Sequence, residues 1–220
     1  MINDIRIETH CHTYYSKDCL MRPKRLIEVC HERGINRLCV TDHNTTKGAF
    51  EMASLAPDLI IPGVEIMTTK GELIALFVEK EVPYGLDPLD TVERFRDQGA
   101  VILVPHPFDS HRHGSWSESD LRMIAPHVDA IEVFNSRSLN ASMNNNASLF
   151  ANELGLMSTV GSDAHSYSEV GKSTMYMQDY VDSNAFVTNL NTAILDTNSS
   201  NPLVHLASRW AVLVSKMNRE

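Results

Sequence analysis

The chain has 220 residues, 43% of them hydrophobic and 21% charged, which are the proportions of a soluble globular protein with a full core. Its formal net charge of −9 argues against a broad basic surface for binding long nucleic acids, although bound metal ions can attract a small phosphorylated substrate locally. There is no visible signal peptide and no apolar run near the roughly 20 residues that span a bilayer, so we expect a cytoplasmic protein without a membrane partner. The length predicts one domain over residues 1–220.

Short β-like runs alternate with helix-like runs along the chain. The predicted strands are 4–9, 37–41, 59–66, 72–78, 100–104, 128–134 and 157–160. The predicted helices are 23–33, 46–55, 88–98, a short one opening near 117, 139–154 and 202–217. Asp87, Pro88 and Gly99 punctuate the third helix most clearly, as cap, first helical residue and stop. This alternation predicts an α/β fold with a largely parallel sheet, either a distorted barrel or an open doubly wound sheet.

Histidines and carboxylates lie at the C-terminal ends of most of these predicted strands. In a parallel barrel, such ends converge on one face, where active sites are built. We therefore expect the side chains to meet in one pocket, and this convergence favours the barrel. The residues are His10, His12, Asp42, His43, Glu65, His106, Glu132, Asp163 and His165.

Their spacing suits metal binding. Along an extended chain, alternate residues point the same way, so His10 and His12 can grip one ion, and Asp163 and His165 repeat that geometry. Each such pair alone can occur by chance, but buried acids and imidazoles are costly unless paired or metal-bound. Mixed nitrogen and oxygen ligands suit zinc, manganese or iron better than calcium.

Five short motifs in this order resemble the polymerase and histidinol phosphatase (PHP) family of metal-dependent phosphoesterases. They are the segments 9–12 (THCH), 41–44 (TDHN), 62–66 (PGVEI), 105–108 (PHPF) and 161–165 (GSDAH). The resemblance implies a distorted barrel of seven strands that holds two or three divalent metal ions (Mn, Zn, Fe or Mg).

The resemblance also implies a ligand set. One ion would be held by His10, His12, Glu65 and Asp163; Glu65 would bridge to a second ion held by His106; Asp18, His43 and His165 would hold a third. Many family members have another histidine between the Glu65 and His106 positions, whereas 72–105 contains none here. The second site is then completed by water, completed by an unexpected residue, or left partly filled.

These features predict hydrolysis of a small phosphomonoester or nucleotide by a metal-activated hydroxide. Asp163, His43 and His165 are the candidate catalytic residues, and the two histidines can assist proton transfer. Arg112 and Arg137 follow strands and are candidate phosphate-binding residues.

Three alternatives stay open. They are an exonuclease-type phosphodiesterase acting on short 3′ or 5′ ends of RNA or DNA, a metal-binding domain without catalysis, and a metal-dependent amidohydrolase. The segments 161–165 and 42–43 favour the phosphoesterase over the amidohydrolase. The sequence leaves the oligomeric state open.

Overall fold

The computed structural model describes residues 4–217, in which strands and helices alternate as expected. The strands are β1 (Asp4–Cys11), β2 (Arg37–Val40), β3 (Ile60–Met67), β4 (Glu72–Leu76), β5 (Val101–Val104), β6 (Ala130–Asn135), β7 (Met157–Gly161), β8 (Thr174–Gln178) and β9 (Ile194–Asp196). The helices are α1 (Pro23–Glu32), α2 (Lys47–Leu55), α3 (Pro88–Arg96), α4 (Glu118–Ile124), α5 (Ala141–Leu154), α6 (Ser183–Leu190) and α7 (Val204–Met217).

The strands form one curved sheet in the order β7-β6-β5-β4-β3-β2-β1-β8-β9. The sheet closes on itself where β1 meets the chain after β7: the His12 amide donates to the Ala164 carbonyl at 3.0 Å, and Cys11 pairs with Ala164. The predicted distorted α/β barrel is therefore confirmed, and the open doubly wound sheet is wrong. Because the barrel is nearly closed, the strand ends surround a common centre.

The sheet is less parallel than the sequence predicts. Strand β4 runs antiparallel to both β3 and β5, and only residues 68–71 separate it from β3. A parallel crossover needs a dozen or more residues, so this link permits only a reversal. In consequence, β4 presents its N-terminal end, which begins at Glu72, to the face where β1, β2, β3, β5, β6 and β7 present their C-terminal ends.

The helix boundaries follow the punctuation in the sequence. Asp87 accepts a hydrogen bond from the Leu89 amide at 2.9 Å and so caps α3, with Pro88 at the first helical position. Ser117 caps α4 in the same manner. Helix α5 ends at Gly155, whose φ of 64° lies in the left-handed region that a Cβ disfavours.

Three elements of the C-terminal third were not predicted: β8, α6 and β9. Strand β8 pairs antiparallel with the first half of β1, from Asp4–Gln178 to Ile7–Met175, and β9 extends the sheet beyond it. Helix α7 follows as predicted. No helix within residues 4–217 combines the length and apolar character needed to cross a bilayer.

Glu8 links β1 to the chain around β7 and β8 from a fully buried position. Its carboxyl group accepts hydrogen bonds from the Ser162 hydroxyl, from the Ser162 amide at 2.9 Å and from the Gly171 amide at 3.1 Å. Burial outweighs these hydrogen bonds and raises the pKa of Glu8 from 4.5 to about 7.

This shift predicts a pH dependence of stability in the metal-free protein. Between pH 4.5 and about 7 the folded chain binds the Glu8 proton and the unfolded chain does not, so the free energy of unfolding falls as the pH rises through that window. The full loss is about 3 kcal/mol, at about 1.4 kcal/mol per pKa unit. Urea unfolding from pH 5 to 8 should give a shallower slope for Glu8→Gln than for the parent or the exposed control Glu79→Gln. Parallel slopes for all three would contradict it.

Candidate metal centre

Four donor atoms converge where β1 and β7 end. The Nε2 atoms of His10 and His12 lie 3.1 Å apart. Each lies 3.3 Å from Oε2 of Glu65, and their distances to Oδ1 of Asp163 are 3.6 and 3.2 Å. Both carboxylate oxygens are buried and accept no hydrogen bond of acceptable geometry from residues 4–217. Burying a carboxylate oxygen without a hydrogen bond is unfavourable in free energy, and a bound cation would remove that penalty. This set of donor atoms therefore fits a cation.

A second group shares Glu65 with the first. His106, which follows β5, places its Nε2 2.8 Å from Oε1 of Glu65, and His10 completes a cluster able to hold an ion. Glu65 thus directs one oxygen toward His106 and the other toward His10 and His12. That division is what a carboxylate bridging two ions requires.

A third group lies on the outer side of the first. Asp18 places Oδ2 3.1 Å from Nε2 of His165 and 3.7 Å from Nε2 of His43. His43 also approaches Glu65, with its Nδ1 3.0 Å from Oε2. His12, His43 and His165 form a further cluster with ligand atoms within 4.8 Å of one another. Thus the structure brings together all eight residues predicted as metal ligands.

The backbone at these positions is unusual. His106 and Asp163 have φ values of 27° and 52°, and Asn44, next to His43, has 57°. Residues other than glycine rarely adopt positive φ, and such strain concentrates at functional sites. The loops after β2, β5 and β7 therefore depart from favoured conformations at the positions where they present these side chains.

Glu132 is among the candidate ligands predicted from the sequence, but its carboxylate contacts the ligands His10 and His106 and not the centre itself. Its Oε1 is 3.0 Å from Nδ1 of His10, while its Oε2 accepts from the His106 amide at 2.8 Å and from Asn135 Nδ2 at 2.9 Å. A histidine that donates from Nδ1 to a carboxylate keeps the Nε2 lone pair for a cation. Glu132 therefore positions His10 and His106 and does not face the centre.

Asp42 is also displaced from the centre. Its carboxylate accepts hydrogen bonds from the Thr13 amide (2.7 Å), the Thr13 hydroxyl (2.6 Å) and the Ser16 hydroxyl (2.6 Å). The Ser16 hydroxyl lies 3.2 Å from Nδ1 of His12 and accepts from the His43 amide at 3.1 Å. Asp42 therefore orients two candidate ligands through Ser16, a role that strand-end position alone does not reveal.

Burial and charge act differently on the central groups of the metal-free protein. Burial alone would lower the pKa of His10 and of His43, but the neighbouring carboxylates outweigh it and raise both pKa values well above the usual value. Asp163 and His12, in contrast, are held in states able to bind a metal. Burial alone would raise the pKa of Asp163, but Arg112 and His10 outweigh it and hold that pKa well below its usual value. Burial, reinforced by the neighbouring His165 and His43, lowers the pKa of His12 well below its usual value. An ionised carboxylate and an unprotonated imidazole are the forms that bind cations.

The two predicted substrate arginines differ in their surroundings. Arg112 donates to Oδ2 of Asp163 at 2.6 Å and to Asp109 at 2.9 Å, at the edge of the centre. Arg137 is buried, lies 3.4 Å from Glu169 and donates to the Ser208 hydroxyl of α7 at 2.8 Å. Both arginines line one cavity of about 450 Å³, together with Asp18, His43, His165 and residues of α7.

Sequence reasoning missed Glu72. Its Oε2 lies 3.9 Å from Nε2 of His106, and it forms a cluster with His43 and Glu65 whose ligand atoms lie within 4.8 Å of one another. The predicted ligands lie at C-terminal strand ends, whereas Glu72 begins the antiparallel β4. The available signal was the four-residue link before β4, which excludes a parallel crossover.

Comparison with known proteins agrees with this geometry. The chain is 37% identical over 172 residues to the uncharacterized protein MJ0417 of Methanocaldococcus jannaschii, covering 76% of this chain and 68% of that protein. Among solved structures, PsfC of Pseudomonas syringae has a TM-score of 0.71 at 19% identity, over 96% of this chain and 99% of PsfC.

A second similar structure is a two-domain protein of Bacteroides vulgatus described as containing a predicted PHP-like metal-dependent phosphoesterase. It has a TM-score of 0.70 at 17% identity, over 89% of this chain and 65% of that one. At these identities the two structures support the fold. The model of the PHP domain matches residues 8–169, which include every histidine and carboxylate of the three groups, and the chain therefore belongs to the PHP family.

Proposed function

We propose that the chain is a hydrolase that cleaves a small phosphomonoester or a nucleotide with two or three divalent ions (Mn, Zn, Fe or Mg). The observation that carries the proposal is the division of Glu65, whose two buried oxygens face different groups of imidazole nitrogens. When bound, the divalent ions supply Lewis acidity, which lowers the pKa of water and neutralises charge on the phosphoryl oxygens.

The proposed ligands follow the three groups. His10, His12, Glu65 and Asp163 hold the first ion, Glu65 and His106 share the second, and Asp18, His43 and His165 hold the third. Within this set, Glu65 and Asp163 contribute the two central negative charges. Glu132 keeps His10 oriented toward the first ion through the 3.0 Å contact at Nδ1.

The cavity beside the third group supports a small substrate. Its volume of about 450 Å³ lies in the range of small-molecule sites, and Pro202, His205 and Leu206 form one of its walls. This wall, at and just before α7, bounds the cavity on one side. A volume of this size accommodates a mononucleotide or another small ester.

Arg112 is the proposed phosphate-binding residue at this cavity. Its guanidinium group is already directed toward Asp163, so a phosphoryl group held at the ions lies within its reach. Arg137 lines the same cavity, but its side chain is only 5% exposed, against 21% for Arg112, and Glu169 and Ser208 engage its guanidinium group. We assign Arg137 a supporting role in shaping the cavity and in adding positive charge.

His43 and His165 also line the cavity and are the proposed proton-transferring residues. A ring nitrogen that binds the third ion cannot at the same time donate a proton. His43 or His165 therefore assists proton transfer to the leaving oxygen only where it is not engaged as a ligand of the third ion. Asp163 contributes to catalysis through the first ion.

The experiment is a substrate screen with Mn²⁺ added and protein metal content measured in parallel. We expect turnover of p-nitrophenyl phosphate and mononucleotides, with bis(p-nitrophenyl) phosphate and short oligonucleotides at least tenfold slower. Faster cleavage of the oligonucleotides would favour the exonuclease-type alternative. Bound metal without turnover of any of these esters would favour a non-catalytic metal-binding domain.

Arg112→Gln should raise the KM for the preferred monoester by about 10-fold to 100-fold, because a charge-assisted hydrogen bond contributes about 1.5–3 kcal/mol. Steady-state kinetics measure the change. Arg122→Gln is the matched control, since Arg122 pairs with Glu118 and Glu153 on the exposed surface of α4 and α5. A KM within twofold of the parent value would remove Arg112 from the phosphate-binding role.

A further inference from the structure

We propose that Glu72 is a ligand of the second metal ion, in the place left vacant by the absence of a histidine between Glu65 and His106. The inference deepens the proposed function and rests on its metal ions. Its test measures metal content and affinity, so it does not depend on which ester, if any, the protein hydrolyses.

The register of the sheet directs Glu72 toward the centre. In the antiparallel ladder Glu65 pairs with Ile74, and Met67 pairs with Glu72. Directly opposed residues point to the same face, and side chains two apart on one strand share a face. Glu72 and Ile74 therefore lie on the same face of the sheet as Glu65. Ile74 has no donor atom, which leaves Glu72 as the metal-binding side chain of β4.

Distance and burial agree with this direction. The Glu72 carboxylate has an oxygen 3.9 Å from Nε2 of His106, a nitrogen that itself lies 2.8 Å from Glu65. The Glu72 side chain is 10% exposed. No hydrogen bond from another residue of 4–217 reaches its carboxylate. A carboxylate without a hydrogen bond at this depth, beside the carboxylate of Glu65, is unfavourable unless a cation lies between the two.

The surrounding chain fixes Glu72 in this position. Its amide donates to the Gly114 carbonyl at 3.1 Å, and the indole Nε1 of Trp116 donates to its carbonyl at 2.9 Å. A Cβ on Gly114 would lie 2.3 Å from Cδ of Glu72, so a larger residue at position 114 would displace the Glu72 side chain. The backbone of Glu72 is thus fixed on both sides before any ion binds, which lowers the entropic cost of binding one.

The donor set has a consequence for the choice of metal. With Glu72, the second ion is shared by two carboxylates and the imidazole of His106. Carboxylate oxygens suit harder ions, whereas additional imidazole nitrogen favours zinc. A site of this composition should therefore prefer manganese over zinc more strongly than a site with a second imidazole in place of Glu72.

The test compares the metal-free parent with Glu72→Gln, Glu72→His and the control Glu79→Gln, each titrated with Mn²⁺. Glu79 follows the far end of β4 and its side chain is exposed. Isothermal titration calorimetry and elemental analysis at a fixed free Mn²⁺ concentration give affinity and stoichiometry. Electron paramagnetic resonance reports whether neighbouring Mn²⁺ ions are coupled through Glu65.

For Glu72→Gln we expect at least tenfold weaker binding of one Mn²⁺ equivalent and loss of the coupled signal, with the remaining equivalents retained. Glu72→His should restore the stoichiometry and shift the site toward Zn²⁺, and this second variant covers the case in which Glu72→Gln fails to fold. Unchanged affinity and coupling in Glu72→Gln, or a parent protein without a coupled ion pair, would overturn the proposal. A parent protein that binds the coupled pair of Mn²⁺ ions but hydrolyses no ester would support Glu72 as a ligand and contradict only the proposed hydrolase activity.

Discussion

Asp163→Asn is expected to lower the turnover of phosphate monoesters by at least 10³-fold while the protein stays folded. The substitution removes the charge of a carboxylate whose Oδ1 lies between His10 and His12 and has no hydrogen-bond donor within residues 4–217. A 10³-fold loss corresponds to about 4 kcal/mol of transition-state stabilisation. Asparagine is the appropriate replacement because φ at this position is 52°, which asparagine tolerates and alanine does not.

The measurement is the initial rate with saturating Mn²⁺, together with circular dichroism and a thermal melt for each protein. Asp58→Asn is the matched control, since Asp58 is exposed and lies just before β3. It should retain the parent rate. Turnover within tenfold of the parent in a folded Asp163→Asn would remove Asp163 from the ligand set and from its catalytic role.

Divalent metal should stabilise the metal-free protein strongly. Addition of Mn²⁺ at about a thousand times its dissociation constant contributes about 4 kcal/mol per site, because the ion binds the folded chain and not the unfolded one. For a chain of this size that free energy raises Tm by about 8–16 °C. This stabilisation arises because the bound ion pairs with Oε2 of Glu65 and Oδ1 of Asp163, which are buried and accept no hydrogen bond from residues 4–217.

Differential scanning calorimetry with Mn²⁺, and with K⁺ at equal ionic strength as the control, measures this effect. K⁺ should change Tm by no more than about 2 °C, since screening acts weakly on buried charge. The double variant Glu65→Gln/Asp163→Asn should lose most of the Mn²⁺ response. An identical response in the double variant would place the stabilising ion elsewhere in the molecule.

Much of the fold follows from the sequence because its strands are short, apolar and ended by polar residues. The Val-Ile-Leu-Val run of β5 is buried along its whole length, and His106 follows it almost at once. The same pattern ends β1 at His10 and His12 and precedes Asp163 after β7. Convergence of these residues required only that the sheet be curved and mostly parallel at those strands.

The remaining features depend on information that periodicity does not carry. The direction of β4 is set by the length of the link before it. The position of Glu72 near the centre follows from that direction. Strand β9 is three residues long and largely exposed, and its two apolar residues are too short a run to indicate a strand. Glu132 and Asp42 have the residue types and positions of ligands, but other residues donate hydrogen bonds that turn them away from the centre. The donors are the loop at 13–16 for Asp42 and the side chain of Asn135, the last residue of β6, for Glu132.

The seam of the barrel has its own consequence. The first half of β1 is paired with β8, whereas the second half meets the opposite wall through the backbone around Ala164. His10 and His12 flank the junction on one side, and Asp163 and His165 flank it on the other. An ion bound by residues from both sides would cross-link the two edges of the barrel at this junction. Separation of the edges and release of the ion would then occur together.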